Sequence, residues 1–157
     1  VVMYSQDRPE GDLYLLQGDG ANLRQLTDDS AIDRVPRWSN QDDRILYFSD
    51  RSGALNIWTI RPDGSDNLQV SFEDGGVATW SPDDSRIAAA TATVVHIFPS
   101  DGEYDLSSVE RLPPGSVGNF AVNDWSMDGV MLIGSEFYQD TGILSYSFRV
   151  EAYRQLT

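Results

Sequence analysis

The chain has 157 residues, enough for a domain with a real core, and 40% of them are hydrophobic, an ordinary share for a globular protein. It contains no cysteine, which excludes disulfides, thiol nucleophiles and cysteine-held metals. Its net charge of −14 is the wrong sign for nucleic acid or an anionic membrane, and no run approaches the roughly 18 apolar residues of a membrane span.

Glycine, proline, aspartate and serine punctuate the chain every 8–12 residues or so, with short apolar runs between. That is an all-β pattern. No stretch keeps a helical period over three turns, so no long helix is expected. Residues 1–7 carry no basic segment followed by an apolar one, so no signal peptide is expected. Strands are expected at 1–6, 12–17 and 22–27, with turns at 7–11 and 18–21. A longer loop, 28–35, leads to strands at 36–39, 44–49, 55–61 and 67–71. A third group lies at 77–81, 86–91, 94–99 and 108–112, and a fourth at 120–126, 130–135, 142–148 and 153–157.

These groups are copies of one module. Trp80-Ser81-Pro82-Asp83-Asp84-Ser85-Arg86 is matched by Trp38-Ser39-Asn40-Gln41-Asp42-Asp43-Arg44 and by Trp125-Ser126-Met127-Asp128-Gly129, with the tryptophans 42 and 45 residues apart. A period of that size is the period of a propeller blade. A shift of 44 residues lays Tyr14 on Trp58, Asp19-Gly20 on Asp63-Gly64, and Gln25-Leu26-Thr27 on Gln69-Val70-Ser71. The repeats run over about 1–27, 28–71, 72–113 and 114–157, and the first lacks its tryptophan-bearing strand. The expected fold is a β-propeller segment of about four four-stranded blades, the first without its inner strand, within a larger ring. A free strand edge invites pairing, so further blades or a second copy should close the ring, and further blades are the preferred alternative.

Most repeated residues read as structural. Trp38, Trp80 and Trp125, each before a turn, are plates between neighbouring blades, and Trp58 is a repeated aromatic position. Pro82 presets a turn, Asp83 follows it, and Gly64 and Gly129 supply freedom of φ. His96 falls on the Tyr14/Trp58 position, so it should fill an aromatic slot rather than serve as a base. Asp50-Arg51 and Asp7-Arg8 lie between second and third strands. They read as an Asp-capped turn with Arg bridging neighbouring blades, or as contacts for an anion or partner. Asp28, Asp29 and Asp33 supply some oxygens of the kind calcium needs, but no EF-hand pattern is present, so a solvated loop is expected. There is no G-x-S-x-G elbow, H-E-x-x-H helix or phosphate loop. No catalytic group, metal or cofactor is therefore expected in this segment, and it is read as not an enzyme.

Together the Trp-Ser-Pro-Asp-Asp-Ser-Arg-Ile-Ala stretch from Trp80, the Ser49-Asp50-Arg51-Ser52-Gly53 loop, the Asn56-Ile57-Trp58-Thr59-Ile60 strand, the Asp63-Gly64 turn and the closing Gln-Leu-Thr resemble the TolB-like (WD40-like) β-propeller repeat. Asn40 and Met127 depart from it at the turn proline, and the third module lacks its second loop. Similar repeats occur in sensor regions of bacterial receptor-like kinases and in the propeller over the active site of prolyl oligopeptidase-type peptidases. The resemblance implies a bacterial binding or gating module with a protein or peptide partner, its chemistry elsewhere. It also implies a periplasmic or extracytoplasmic setting, although a cysteine-free chain fits the cytosol as well.

In a four-stranded meander, the second loop and the connection to the next blade share one side. That side gathers the longer loops 28–35, 50–54, 72–76, 115–119 and 136–141. Function concentrates on variable loops held by a rigid scaffold. Partner contacts are therefore expected at Asp28, Asp29, Asp33, Arg34, Asp50 and Arg51. Charge reversal at Asp28, Asp33 or Arg51 is expected to weaken partner binding without lowering the melting temperature.

Overall fold

The computed structural model describes residues 1–5, 11–72, 76–90, 94–113, 120–136 and 142–157. The expected Asp7-Arg8 turn, and most of the loops 72–76, 115–119 and 136–141, lie outside them. The described strands form four antiparallel meanders. The first is β1 (Val2–Tyr4), β2 (Leu13–Leu15) and β3 (Arg24–Gln25). The second is β4 (Asp33–Trp38), β5 (Ile45–Ser49), β6 (Asn56–Ile60) and β7 (Leu68–Gln69). The third is β8 (Val77–Trp80), β9 (Arg86–Ala90), β10 (Val95–Pro99) and β11 (Glu110–Arg111). The fourth is β12 (Phe120–Trp125), β13 (Met131–Glu136), β14 (Ile143–Ser147) and β15 (Ala152–Gln155).

The fold is all-β, and the first blade has three strands against four in each of the others. Two local differences stand out. β4 begins at Asp33, three residues before the expected start, and a 3-10 turn at Leu106–Ser108 is capped by Asp105.

Turn chemistry fixes the registers. After each tryptophan a serine hydroxyl closes the turn. Ser39, Ser81 and Ser126 accept from the amides of Arg44, Arg86 and Met131 at 3.1, 2.9 and 2.9 Å. Each also donates to a carboxylate, of Asp43, Asp83 and Asp128, at 2.9, 2.6 and 2.7 Å. The second blade takes that carboxylate from Asp43, because Gln41 stands where the others have aspartate. The chain then turns through a left-handed residue, Asp42 and Asp84 at φ 58° and Gly129 at φ 72°. Only at Gly129 is that conformation free of a Cβ penalty.

The Gln-Leu-Thr endings also have a mechanism. The hydroxyls of Thr27, Ser71 and Thr157 accept from the amides of Leu13, Ile57 and Ile143 at 3.0, 2.9 and 2.9 Å. In the first, second and fourth blades they tie the end of the outer strand to the start of the strand it pairs with.

The chain divides into two compact units, Val1–Asp74 and Gly75–Thr157. In the first, Leu13 packs with Ile45, Tyr47 and Ile60, and Leu15, Trp38 and Trp58 close around them. In the second, Ala88, Val95 and Ile97 of the third sheet meet Phe120, Val122, Trp125, Leu132 and Tyr146 of the fourth. Trp125 stacks on Phe148 at 5.3 Å, with the Arg86 guanidinium 5.1 Å from its ring. His96 is 4% exposed, with its ring 5.8 Å from Phe98. It sits opposite Arg111, as Tyr14 sits opposite Gln25 and Trp58 opposite Gln69, so it occupies the aromatic slot of the repeat.

Candidate functional site

The second blade brings the predicted partner residues together at its long-loop end. Pairing places Asp33 opposite Ser49, and Ser49 opposite Asn56. All three point to the face that also carries Tyr47 and Trp58, because side chains alternate along a strand.

Arg51 folds back over that face. Its Nη2 lies 3.1 and 2.9 Å from the two Asp33 oxygens, its Nε donates to Ser49 Oγ at 2.9 Å, and its Nη1 is 3.4 Å from Asp29 Oδ2. The guanidinium sits 5.2 Å from the Trp58 ring and 5.5 Å from the Tyr47 ring, within cation–π range. Burial alone would lower the Arg51 value, but Tyr47, Asp33 and Asp29 outweigh it, and the group is held above its ordinary range. Burial pushes the Tyr47 phenol up, and its hydroxyl donates to Asn67 at 2.7 Å.

Two expectations are corrected here. Asp33 is not in a solvated loop: its side chain is 0% exposed and lies on β4. Arg51 does not bridge neighbouring blades: it binds Asp33 of its own sheet and Asp29 of the loop leading into it. Asp50 is tied to the same loop, its Oδ1 accepting from the Ile32 amide at 2.8 Å. Asp29 caps its own turn through the Ala31 amide at 2.8 Å. Arg51 and Asp50 thus lock two long loops to each other, and Arg51 occupies the place a cation would take between Asp29 and Asp33. Among the described residues no cluster of three or more His, Asp or Glu is arranged to hold a metal ion. None of the described helices is long and apolar enough to cross a membrane.

Asp28 and Arg34 stay exposed at this end. Arg34 is placed by a β-bulge. Arg34 pairs with Phe48 and Arg37 with Leu46, so one extra residue is accommodated between them. Val35 takes φ 53° there and Pro36 follows. Proline within an expected strand is a signal for such a bulge, and the sequence held it. Tyr47, Ser49 and Arg37 carry no signal in the sequence as site residues, and Trp58 reads there only as structural, because nothing in their spacing says that Arg51 folds back or that β4 is bulged. At the opposite, short-turn end an open concavity of about 470 Å3 lies beside Leu15, Leu23 and Trp38, where Arg24 already donates to the Pro62 carbonyl.

No protein-family model matches the sequence. The Tol-Pal system protein TolB of Helicobacter hepaticus is 42% identical over 59 residues, covering 38% of this chain and 14% of that protein. Dipeptidyl-peptidase 5 of Porphyromonas endodontalis is 32% identical over 68 residues, covering 43% of this chain and 10% of that protein. The chain therefore spans only about a tenth to a seventh of these curated relatives. The crystal structure of TolB from Acinetobacter baumannii superposes with a TM-score of 0.79 at 15% identity, covering 99% of this chain and 41% of that one. By its fold and by the residues of its repeat, this chain is a TolB-like β-propeller.

Proposed function

We propose that the chain is a non-catalytic docking module that binds a protein or peptide partner through the long-loop end of its blades. The observation that carries this is the lock formed by Arg51 and Asp50. Two loops that would otherwise be independent are held as one platform by charge-assisted hydrogen bonds, half-buried at Arg51 and exposed at Asp50, with Asp28 and Arg34 exposed on it. A preordered platform loses little entropy on binding. The test places a photo-crosslinking amino acid at Asp28 in the intact protein, and separately at Asp63 on the short-turn end, followed by irradiation in the source cells. Crosslinked adducts from Asp28 and none from Asp63 support the reading. The same adducts from both positions overturn it.

A second reading is favoured by the match to dipeptidyl-peptidase 5. In it the chain is the gating propeller of a larger hydrolase. Labelling of the intact protein by a fluorophosphonate probe distinguishes the two, because only the gating reading requires an activated serine in the same polypeptide.

A further inference from the structure

We propose that the fourth blade carries a contact for a second copy of this chain, a two-fold pairing of the turn 148–151 in which Val150 meets its counterpart and Arg149 of each copy pairs with Glu151 of the other. The proposal goes beyond the docking reading. It lies at the opposite, short-turn end of the blades, and its failure leaves that reading untouched.

Two adjoining turns of this blade abandon the chemistry that the repeat uses. The shift that lays Trp38 on Trp125 also lays Asn40 on Met127, Asp63 on Val150 and Gly64 on Glu151. In the first three blades the aspartate of this turn, Asp19, Asp63 or Asp101, accepts from the amide two residues on, at 2.9, 2.9 and 3.0 Å. The glycine after it, Gly20, Gly64 or Gly102, takes the left-handed conformation without a Cβ penalty. The fourth blade has neither. Val150 has no oxygen with which to cap, and Glu151 is held at φ 51°. Apart from Val35, the other described non-glycine residues at positive φ are Asn and Asp, whose short polar side chains tolerate it, whereas glutamate has no such relief. Stability alone would keep Asp-Gly here, and strain retained at one copy of a repeat points to a use for the residues that replace it.

The replacements form a patch. Met127 and Val150 are 78% and 71% exposed, the two most exposed large hydrophobic residues among those described. Scattered apolar residues need no explanation, but these two lie on neighbouring turns. The Phe148 amide donates to the Val130 carbonyl at 2.9 Å, which joins the turns. The Asp128 carboxyl is held below its ordinary range by the Ser126 hydroxyl first and the Val130 amide next, and the Arg149 charge on the other turn adds to this. Beneath them Trp125 stacks on Phe148, and the Tyr146 ring lies 5.3 Å from Phe148. The apolar tip stands on a packed aromatic base.

Charge selects the occupant. Arg149 and Glu151 flank Val150, and both are exposed. Neither side chain makes a hydrogen bond or ion pair with the described residues. One free cation and one free anion on either side of an apolar residue make a surface that complements itself. Across a two-fold axis at Val150 the second copy's turn runs antiparallel, so each Arg149 faces the other's Glu151. A guanidinium can grip that carboxylate with two N–H groups. A foreign partner has no need of both signs placed symmetrically about the apolar residue. Copies that each carry a net charge of −14 repel one another, and the two reciprocal pairs supply the local attraction. Two turns from each copy make a small contact, so the association is weak and reversible. It leaves the strand edges untouched and is separate from any closure of the ring.

The test is sedimentation equilibrium of the intact protein over a range of concentrations, with the melting temperature of each variant taken below the association midpoint. A reversible monomer–dimer equilibrium is expected. Val150→Asp, which restores the residue of the other blades, should raise the midpoint concentration about tenfold or more without lowering the melting temperature. Arg149→Glu and Glu151→Arg should each do the same to the midpoint, because each sets like charges against one another. The double variant Arg149→Glu with Glu151→Arg, which has the parent's charge, should dimerise as the parent does. An equimolar mixture of the two single variants should also dimerise, since both cross-pairs are then of opposite sign. Glu151→Gly should raise the melting temperature, by relieving the strained φ, and weaken the dimer. A parent that stays monomeric overturns the proposal. So does a dimer that Val150→Asp or Glu151→Gly leaves unchanged, or a failure of either the double variant or the mixture to recover it.

Discussion

Arg51 meets Asp33 through one nitrogen that bridges a wholly enclosed carboxylate, Nη2 lying 3.1 and 2.9 Å from its two oxygens. Arg51 itself keeps 18% of its side chain in contact with solvent. Such a pair contributes little over an apolar replacement, but breaking it leaves a buried charge alone. Arg51→Ala should therefore cost about 3 kcal/mol, the lower end of the range for buried pairs because one partner is partly wet. Arg51→Lys should recover part of the loss, since one ammonium nitrogen can reach both Asp33 oxygens as Nη2 does but cannot also supply the contacts that Nε makes to Ser49 and Nη1 to Asp29. The double variant Arg51→Gln with Asp33→Asn should be more stable than Arg51→Ala alone, a coupling that urea midpoints measure directly. Loss of less than about 0.5 kcal/mol in Arg51→Ala would mean that the pair does not hold the fold together. The expectation that reversing Asp33 or Arg51 leaves the melting temperature alone does not hold for so enclosed a pair; it remains the expectation for Asp28, which is exposed.

The repeat was legible because each turn states its chemistry locally. Ser81 and Asp83 hydrogen-bond within two residues of each other, and the glycine of Asp63-Gly64 takes φ 92° as a turn of that type demands. Each strand boundary then follows from its neighbours. The partner end was legible only in part. Asp33-Arg34-Val35-Pro36-Arg37 breaks strand alternation because the strand is bulged, so it reads as the end of a polar loop. Its aspartate then reads as solvated. The Arg51 contact with Asp33 spans 18 residues and depends on that bulged strand being paired to β5. A long-range pairing of this kind leaves no mark at either position. The substitution of Asp43 for the missing carboxylate at Gln41 was hidden for a related reason: Ser39 reaches a different residue in three dimensions from the one that aligns in sequence.

The hydroxyls that end the second and fourth blades should differ in worth according to the burial of the amide they satisfy. Ile57 is 0% exposed, and its amide donates to Ser71 Oγ at 2.9 Å. Ile143 is 46% exposed, and its amide donates to Thr157 Oγ1 at the same distance. Ser71→Ala leaves a buried N–H without a partner and should cost about 1–3 kcal/mol. Thr157→Val exposes its amide to water, which replaces the bond, and should cost a few tenths. Ser71→Thr, which restores the hydroxyl, should recover most of the loss. Chemical denaturation of the three variants decides it; equal losses in Ser71→Ala and Thr157→Val would show that the hydroxyls do not act by satisfying these amides.

The Asp83 carboxylate provides a pH signature of the turn. It is held down to about 2 by the Ser81 hydroxyl first, then by the Ser85 hydroxyl and the Ser85 amide. In the unfolded chain an aspartate titrates near about 3.9. Because the folded value is the lower one, the turn's contribution is fully present above about 4 and is lost as pH falls toward about 2. The residue is exposed, so solvent screening keeps that contribution to about 1 kcal/mol or less. Asp83→Asn should be less stable than the parent at pH 7, and the gap should close between about pH 4 and pH 2. Ser81→Ala should flatten the same step, since it removes the strongest of the three bonds to the carboxylate. Melting temperatures of the parent and both variants at pH 7, 4 and 2.5 test this. A gap between parent and Asp83→Asn that stays constant down to pH 2.5 would assign the effect of Asp83 to turn geometry rather than to its charge.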